Sequence, residues 1–152
     1  LTEDITMAGE IEAKLNVATT GTDADWVVKV VDVYPADAED TEEVQDHLKM
    51  SNYHMMVRSE VLPARFRNGF EKAEASVPNQ KTDIDFTLQG IYHTFKKGHK
   101  IQIQVQSTWF PLINLNPQTF VPNIFNAEKS DYKKQTHTVF GDSSIEFTVL
   151  EK

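Results

Sequence analysis

A strict alternation of apolar and polar residues, repeated along the chain, most constrains its fold. In the first segment, five apolar side chains fall on odd positions, and charged or amide side chains occupy the even positions from 10 to 16. Because successive side chains of a β-strand point to opposite faces, this spacing predicts a strand with one buried face. The apolar positions are Met7, Ile11, Ala13, Leu15 and Val17.

Further strands follow at short intervals. Residues 26–34 form a nearly continuous β-branched run ended by Pro35, which predicts a central strand covered on both faces. No segment has the period of a long amphipathic helix. Seven or eight strands separated by turn residues predict an all-β antiparallel sandwich or barrel, between which periodicity does not choose. The remaining predicted strands are 53–61, 84–88, 101–106, 136–140 and 145–149.

Composition excludes several classes of protein. A length of 152 residues fits one domain, and 39% hydrophobic with 25% charged residues is too apolar for disorder and too polar for a membrane protein. The net charge of −8 disfavours nucleic acid as a partner. The absence of cysteine excludes disulfides and thiolate metal sites. Residues 37–46 are acidic without a basic residue, and we expect a solvated loop with at most a helical turn at 42–48, rather than a calcium loop, since the EF-hand glycine is missing.

The sequence contains no recognisable catalytic constellation. No serine lies in a G-x-S-x-G turn, and the five histidines show neither H-E-x-x-H nor H-x-H spacing. His93 and His99 flank a predicted turn, so they either approach each other or simply donate to nearby carbonyls. We therefore predict no catalytic residue, no metal-ligand set and no cofactor in this chain.

Asp32 stands within the apolar run 26–34. An unpaired carboxylate there would cost several kcal/mol, so the position predicts a buried ion pair, with Arg58, Arg65 or Arg67 as the partner. The alternative is that Asp32 forms one wall of a polar pocket.

Asp23 and Asp25 lie in the turn before that same run. Carboxylates in this position cap backbone amides or bind a cation, and we favour the cap.

Residues 109–127 carry no charge and contain three prolines, which exclude a membrane helix or a central strand. The segment holds four aromatic residues, Trp109, Phe110, Phe120 and Phe125. An uncharged aromatic loop in water would form an apolar patch, so we expect it to pack on its own core or on another domain. These four residues are the candidate interdomain contact.

Four segments resemble one known family: GTDADWVVKVVDVYP at 21–35, FKKGHKI at 95–101, QVQSTWFP at 104–111 and NPQTF at 116–120. They are similar to the C-terminal domain of the X-Pro dipeptidyl-peptidase, cocaine esterase and α-amino acid ester hydrolase family, which includes glutaryl-7-aminocephalosporanic acid acylase-like proteins. Two features depart from the family pattern. Residues 37–46 resemble an enlarged loop, and Leu62-Pro63-Ala64 stands where an arginine often follows the leucine.

The resemblance implies that residues 1–152 form one galactose-binding-like jelly roll, excised from a longer protein. In that protein the jelly roll would follow an α/β-hydrolase domain that carries the serine, aspartate and histidine triad. The domain itself would be a non-catalytic accessory domain that packs on the catalytic domain and shapes the active-site entrance. The parent would cleave a small ester, amide or X-Pro peptide, with homo-oligomers and a bacterial periplasmic or secreted location compatible with the family. The alternative function is a carbohydrate- or other ligand-binding jelly-roll module.

Overall fold

The computed structural model of the protein describes residues 1–40 and 42–151. Strands dominate it, and its helical parts are three short 3-10 helices. The strands are β1 Ile5–Thr19, β2 Asp25–Val33, β3 His54–Pro63, β4 Thr82–Phe95, β5 Lys100–Gln106, β6 His137–Val139 and β7 Ser144–Val149. The 3-10 helices are Asp46–Leu48, Ala64–Phe66 and Ile124–Asn126.

The strands form two antiparallel sheets. One sheet has the order β4-β1-β6, with β7 also pairing with β1, and the other has the order β3-β2-β5. Residues from both sheets share one hydrophobic core, so the architecture is a β-sandwich. The all-β prediction is confirmed, and the sandwich rather than the barrel is the correct alternative.

The alternation in the sequence forms the core. Odd positions of β1 point inward, and Ile11, Ala13 and Leu15 are at most 2% exposed. They lie opposite Leu88, Phe86 and Ile84 of β4, in that order. The inward-facing set from both sheets gives the fold its main stabilisation, because buried apolar area contributes roughly 25 cal/mol per Å².

A β-bulge on β4 changes the phase of the pattern along that strand. Gly9 pairs with Ile91 and Ile11 pairs with Leu88, so the extra residue lies on β4 between Leu88 and Ile91. Gly9, opposite the bulge, has a φ of +100°, which favours glycine. On β4 the buried positions are even up to Leu88, whereas the buried Phe95 is odd. Residues 82–95 nevertheless pair with β1 on both sides of the bulge and form one strand.

Strand β2 is the central strand of its sheet, as predicted. Val28 and Val30 belong to the shared core, while Val27 and Val31 point to the opposite face and are only 0% and 3% exposed. On that opposite face the ammonium of Lys29 lies 4.1 Å from the centre of the Trp109 ring. The loop that contains Trp109 therefore reaches the outer side of this sheet.

The acidic segment is largely a surface loop. Its helical content is the 3-10 helix Asp46–Leu48, which lies within the predicted turn at 42–48. Thr41, also in this segment, lies outside the described residues.

Candidate functional site

The uncharged loop, residues 109–127, is fastened to the turn that precedes β2. The side-chain amide of Asn116 donates to Asp25 Oδ1 at 2.9 Å. The backbone amide of Phe120 donates to Thr22 Oγ1 at 2.8 Å, and the amide of Thr22 donates to the carbonyl of Gln118 at 3.2 Å. These contacts give the middle of the loop a fixed attachment although it contains no strand.

A second attachment joins the loop to β6. His137 Nε2 donates to Gln118 Oε1 at 3.0 Å, and the His137 ring meets the edge of Trp26 at a centroid distance of 5.4 Å. The other ring nitrogen, Nδ1, is buried and has no partner among the described residues. Burial therefore lowers the pKa of His137, because protonation would place a charge away from water.

Gly21 allows the loop to approach closely. A Cβ atom at this position would overlap the carbonyl oxygen of Gln118 and the side chain of Gln135. Since the overlap with Gln118 involves backbone, a larger residue at Gly21 would push the loop away from the turn.

The four aromatic residues expected at an interdomain contact divide into two pairs. Trp109 and Phe120 are half-buried, and each ring lies against a cation of its own domain: Lys29 for Trp109, and Arg65, whose guanidinium carbon is 4.9 Å from the ring centre, for Phe120. Trp26 is buried, and Lys29 occupies one face of Trp109, so no tryptophan offers the open platform typical of sugar binding.

The other pair points outward. Phe110 is 63% exposed and Phe125 is 74% exposed. Two leucines of the same loop, Leu112 and Leu115, are also exposed, and the prediction, which named only aromatic residues, did not include them. The absence of charged residues around these leucines was the feature of the sequence that could have indicated them. These four residues, Phe110, Leu112, Leu115 and Phe125, are called the outer patch below.

A cleft of about 560 Å³ lies between the loop and the strand β3 with the 3-10 helix that follows it. Its walls are mainly apolar, and its charged lining residues are Asp25 and Arg65. A cleft of this size with few polar groups has the usual character of a binding site. Its apolar lining residues are Val61, Pro63, Phe66, Leu112, Ile113, Pro122, Ile124 and Phe125.

A buried charged cluster forms the polar end of the cleft. Arg65 donates to Asp23 Oδ2 from Nε at 2.9 Å and from Nη2 at 2.5 Å. Asp23 is fully buried, and its Oδ1 accepts from the Ala24 amide at 3.0 Å, so this carboxylate caps the turn and also pairs with an arginine. Burial raises the pKa of Asp25, with the nearby charge of Asp23 as a smaller cause, although the bond from Asn116 opposes the shift.

Asp32 is buried as expected, but the predicted arginine partner is wrong. His99 Nδ1 donates to Oδ1 at 2.8 Å, and His93 Nε2 donates to Oδ2 at 3.0 Å. Asp32 does not line the cleft. The three arginines bind elsewhere: Arg58 to the carbonyl of Gly90, Arg65 to Asp23, and Arg67 to the carbonyls of Ala64, Glu74 and Ala75.

The topology explains the histidines. Asp32 of β2 pairs with Ile101 of β5, so the turn before β5 places His99 beside it. His93 comes from β4 of the other sheet and points to the same side as the inward-facing Phe95. The centres of the His93 and Phe95 rings are 4.6 Å apart. His93 therefore joins the carboxylate to the other sheet, whereas His99 binds it from the turn next to its own sheet. The hydrogen bonds between Asp32 and the two histidines are observed, and their being an ion pair stays a prediction.

Two arrangements typical of catalytic and metal sites are absent from the described residues. Within residues 1–40 and 42–151 no serine hydroxyl is hydrogen-bonded to a histidine. The same residues contain no cluster of three or more histidine, aspartate or glutamate side chains able to hold a metal ion. Nor does any helix in this part of the chain have the length and apolarity needed to cross a bilayer.

Comparison with known proteins gives a consistent set of matches. The sequence profile of the X-Pro dipeptidyl-peptidase C-terminal non-catalytic domain matches residues 1–145. An aminopeptidase from the marine sediment archaeon Thaumarchaeota archaeon is 37% identical, with a TM-score of 0.91, over 99% of this chain and 24% of its own. An α-amino acid ester hydrolase is 40% identical, with a TM-score of 0.88 and the same two coverages.

A CocE/NonD family hydrolase from Staphylococcus aureus shares the fold alone, at 14% identity and a TM-score of 0.62 over 99% of this chain and 29% of its own. Among proteins of curated function, none matches the chain significantly. The chain spans about a quarter of the length of the two more similar solved structures.

Proposed function

Because the chain belongs to the family of X-Pro dipeptidyl-peptidase C-terminal non-catalytic domains, we propose that it is the accessory domain of a larger hydrolase and packs on an upstream catalytic α/β-hydrolase domain through the outer patch. In this proposal the catalytic groups lie outside this chain, and the parent cleaves a small ester, amide or X-Pro peptide bond. The uncharged loop then forms part of the active-site entrance.

The observation that carries the proposal is the exposure of the outer patch on a loop whose other side is fixed. Asn116, Gln118 and Phe120 tie the loop to its own domain, so Phe110 and Phe125 are held outward instead of folding onto the core. Apolar side chains held in water in this way are typical of a surface that another domain covers. The two more similar solved structures are about four times longer than this chain, which leaves room for such a domain in those proteins.

The double replacement Phe110→Ser with Phe125→Ser tests this contact. Both rings are mostly exposed here, so the 152-residue chain should unfold at the same urea concentration with or without the change. In the full-length hydrolase, the free energy that holds the two domains together should fall by roughly 3–6 kcal/mol, because each buried phenylalanine contributes about 1.5–3 kcal/mol. The full-length variant should also show a lower kcat/KM, since the entrance is no longer held in place.

Tyr92→Ser is the matched control. Tyr92 is 79% exposed on β4, in the sheet that does not carry the loop. It should leave both proteins unchanged. If the double replacement changed the stability of the isolated chain and of the full-length protein equally, the outer patch would contribute only to its own domain, and the proposal would fail.

A further inference from the structure

The polar end of the cleft contains two carboxylates but only one cation among the described residues, so one negative charge is not balanced. Asp23 and Arg65 form a pair through two hydrogen bonds and cancel each other's charge. Asp25 is 7% exposed and lines the cleft, but its hydrogen bond comes from the neutral amide of Asn116. Among the described residues, nothing donates to its second oxygen, Oδ2. This oxygen is not one of the fully buried atoms that lack a partner, so it is open to a cation that enters the cleft.

The shape of the cleft selects the kind of cation. Since Asn116 occupies one oxygen of Asp25, a single oxygen remains for a partner. A lysine ammonium binds as a point charge, whereas the arginine fork is best satisfied by both oxygens of a carboxylate. The walls of the same cleft include Phe66, Ile113 and Phe125, which would cover an aliphatic stem. The cleft is therefore complementary to a lysine side chain.

We propose that the cleft receives a lysine of the upstream catalytic domain, whose ammonium pairs with Asp25. This inference rests on the proposed function and specifies how the two domains lock together. Continuity supports a lysine of that domain over a free ligand, because Leu112 and Phe125 belong to both the outer patch and the cleft wall. Whatever covers the outer patch thus also lies over the mouth of the cleft.

Asp25→Asn in two contexts tests the proposal. In the 152-residue chain the replacement removes an unbalanced buried charge, while the asparagine carbonyl still accepts from Asn116. We expect an unchanged or higher melting temperature there. In the full-length hydrolase the replacement leaves the lysine without its partner, and the transition that reports this domain should fall by at least about 3 °C. Asp83→Asn, an exposed position on β4, is the control and should change neither protein.

A second measurement identifies the lysine. Carbodiimide treatment of the full-length protein joins a carboxylate to an amine in contact with it, with loss of water, and mass spectrometry of the digest should show Asp25 linked to an upstream lysine. The cross-link should be absent from the Asp25→Asn variant.

Three results would overturn the inference. A loss of stability in both contexts would mean that Asp25 only anchors the uncharged loop. No loss in the full-length protein, while Phe110→Ser with Phe125→Ser still weakens it, would leave the interdomain contact standing without the lysine. The third result combines two observations. If n-butylammonium chloride stabilised the 152-residue chain but not its Asp25→Asn variant, and if that variant left the full-length protein unchanged, the cleft would bind a soluble amine instead.

Discussion

Replacing Arg65 with methionine should lower the free energy of unfolding of the 152-residue chain by about 3–5 kcal/mol, because removing one partner of a buried pair leaves an uncompensated charge. That charge belongs to Asp23, which is fully buried and receives two hydrogen bonds from the arginine. Arg65 also lies against the ring of Phe120, so the uncharged loop loses a contact at the same time. Urea denaturation followed by circular dichroism measures the change.

The double variant Asp23→Asn with Arg65→Met separates charge from packing. It buries no ion at this position, so at least half of the lost stability should return. If Arg65→Met alone stays within about 1 kcal/mol of the wild type, which is the range of a surface ion pair, the pair does not stabilise the fold as described.

Asp32→Ala should lower the free energy of unfolding by about 3 kcal/mol, since it removes two hydrogen bonds to a charged group and leaves two imidazoles without their acceptor. The loss concerns contact between the sheets, because His93 and Asp32 come from different sheets. Asp32→Asn, which retains one acceptor oxygen and the volume, should have an intermediate effect. Equilibrium unfolding at pH 7 provides the comparison.

The asparagine variant decides whether the charge of Asp32 contributes. An unchanged stability of Asp32→Asn together with a destabilised Asp32→Ala would show that hydrogen bonding and volume suffice, and would remove the ion pair from the account. Wild-type stability in both variants would contradict the description of Asp32 as a bridge between the sheets.

The strands could be predicted because their signal is local. Alternation fixes which side chains of β1 point inward, and a nearly continuous β-branched run marks β2 as a strand covered on both faces. The family could also be identified from the sequence, since the four quoted segments lie within the matched residues 1–145.

The partner of Asp32 could not be predicted in the same way. It depends on the extra residue of β4 between Leu88 and Ile91, which shifts the phase of that strand and brings His93 to the inner face. It also depends on the pairing of β2 with β5. Neither fact is contained in the neighbourhood of Asp32 in the sequence, and an arginine is the more usual partner for a buried carboxylate.

The division of the uncharged loop was equally hidden. Composition identifies the loop as apolar, but it has no period, and so no pattern separates inward from outward side chains. Trp109 and Phe120 are half-buried and pack on Lys29 and Arg65, contacts that only the packing of the strands establishes. The cleft is a consequence of the same packing.

The proposed function requires that another domain of the parent hydrolase covers the uncharged loop. Amide hydrogen exchange of residues 109–127, compared between the 152-residue chain and the full-length protein, measures this coverage. We expect at least about tenfold slower exchange in the full-length protein at the outer patch, Phe110, Leu112, Leu115 and Phe125, with no change on β4 around Tyr92. Equal exchange of the loop in both proteins would contradict it.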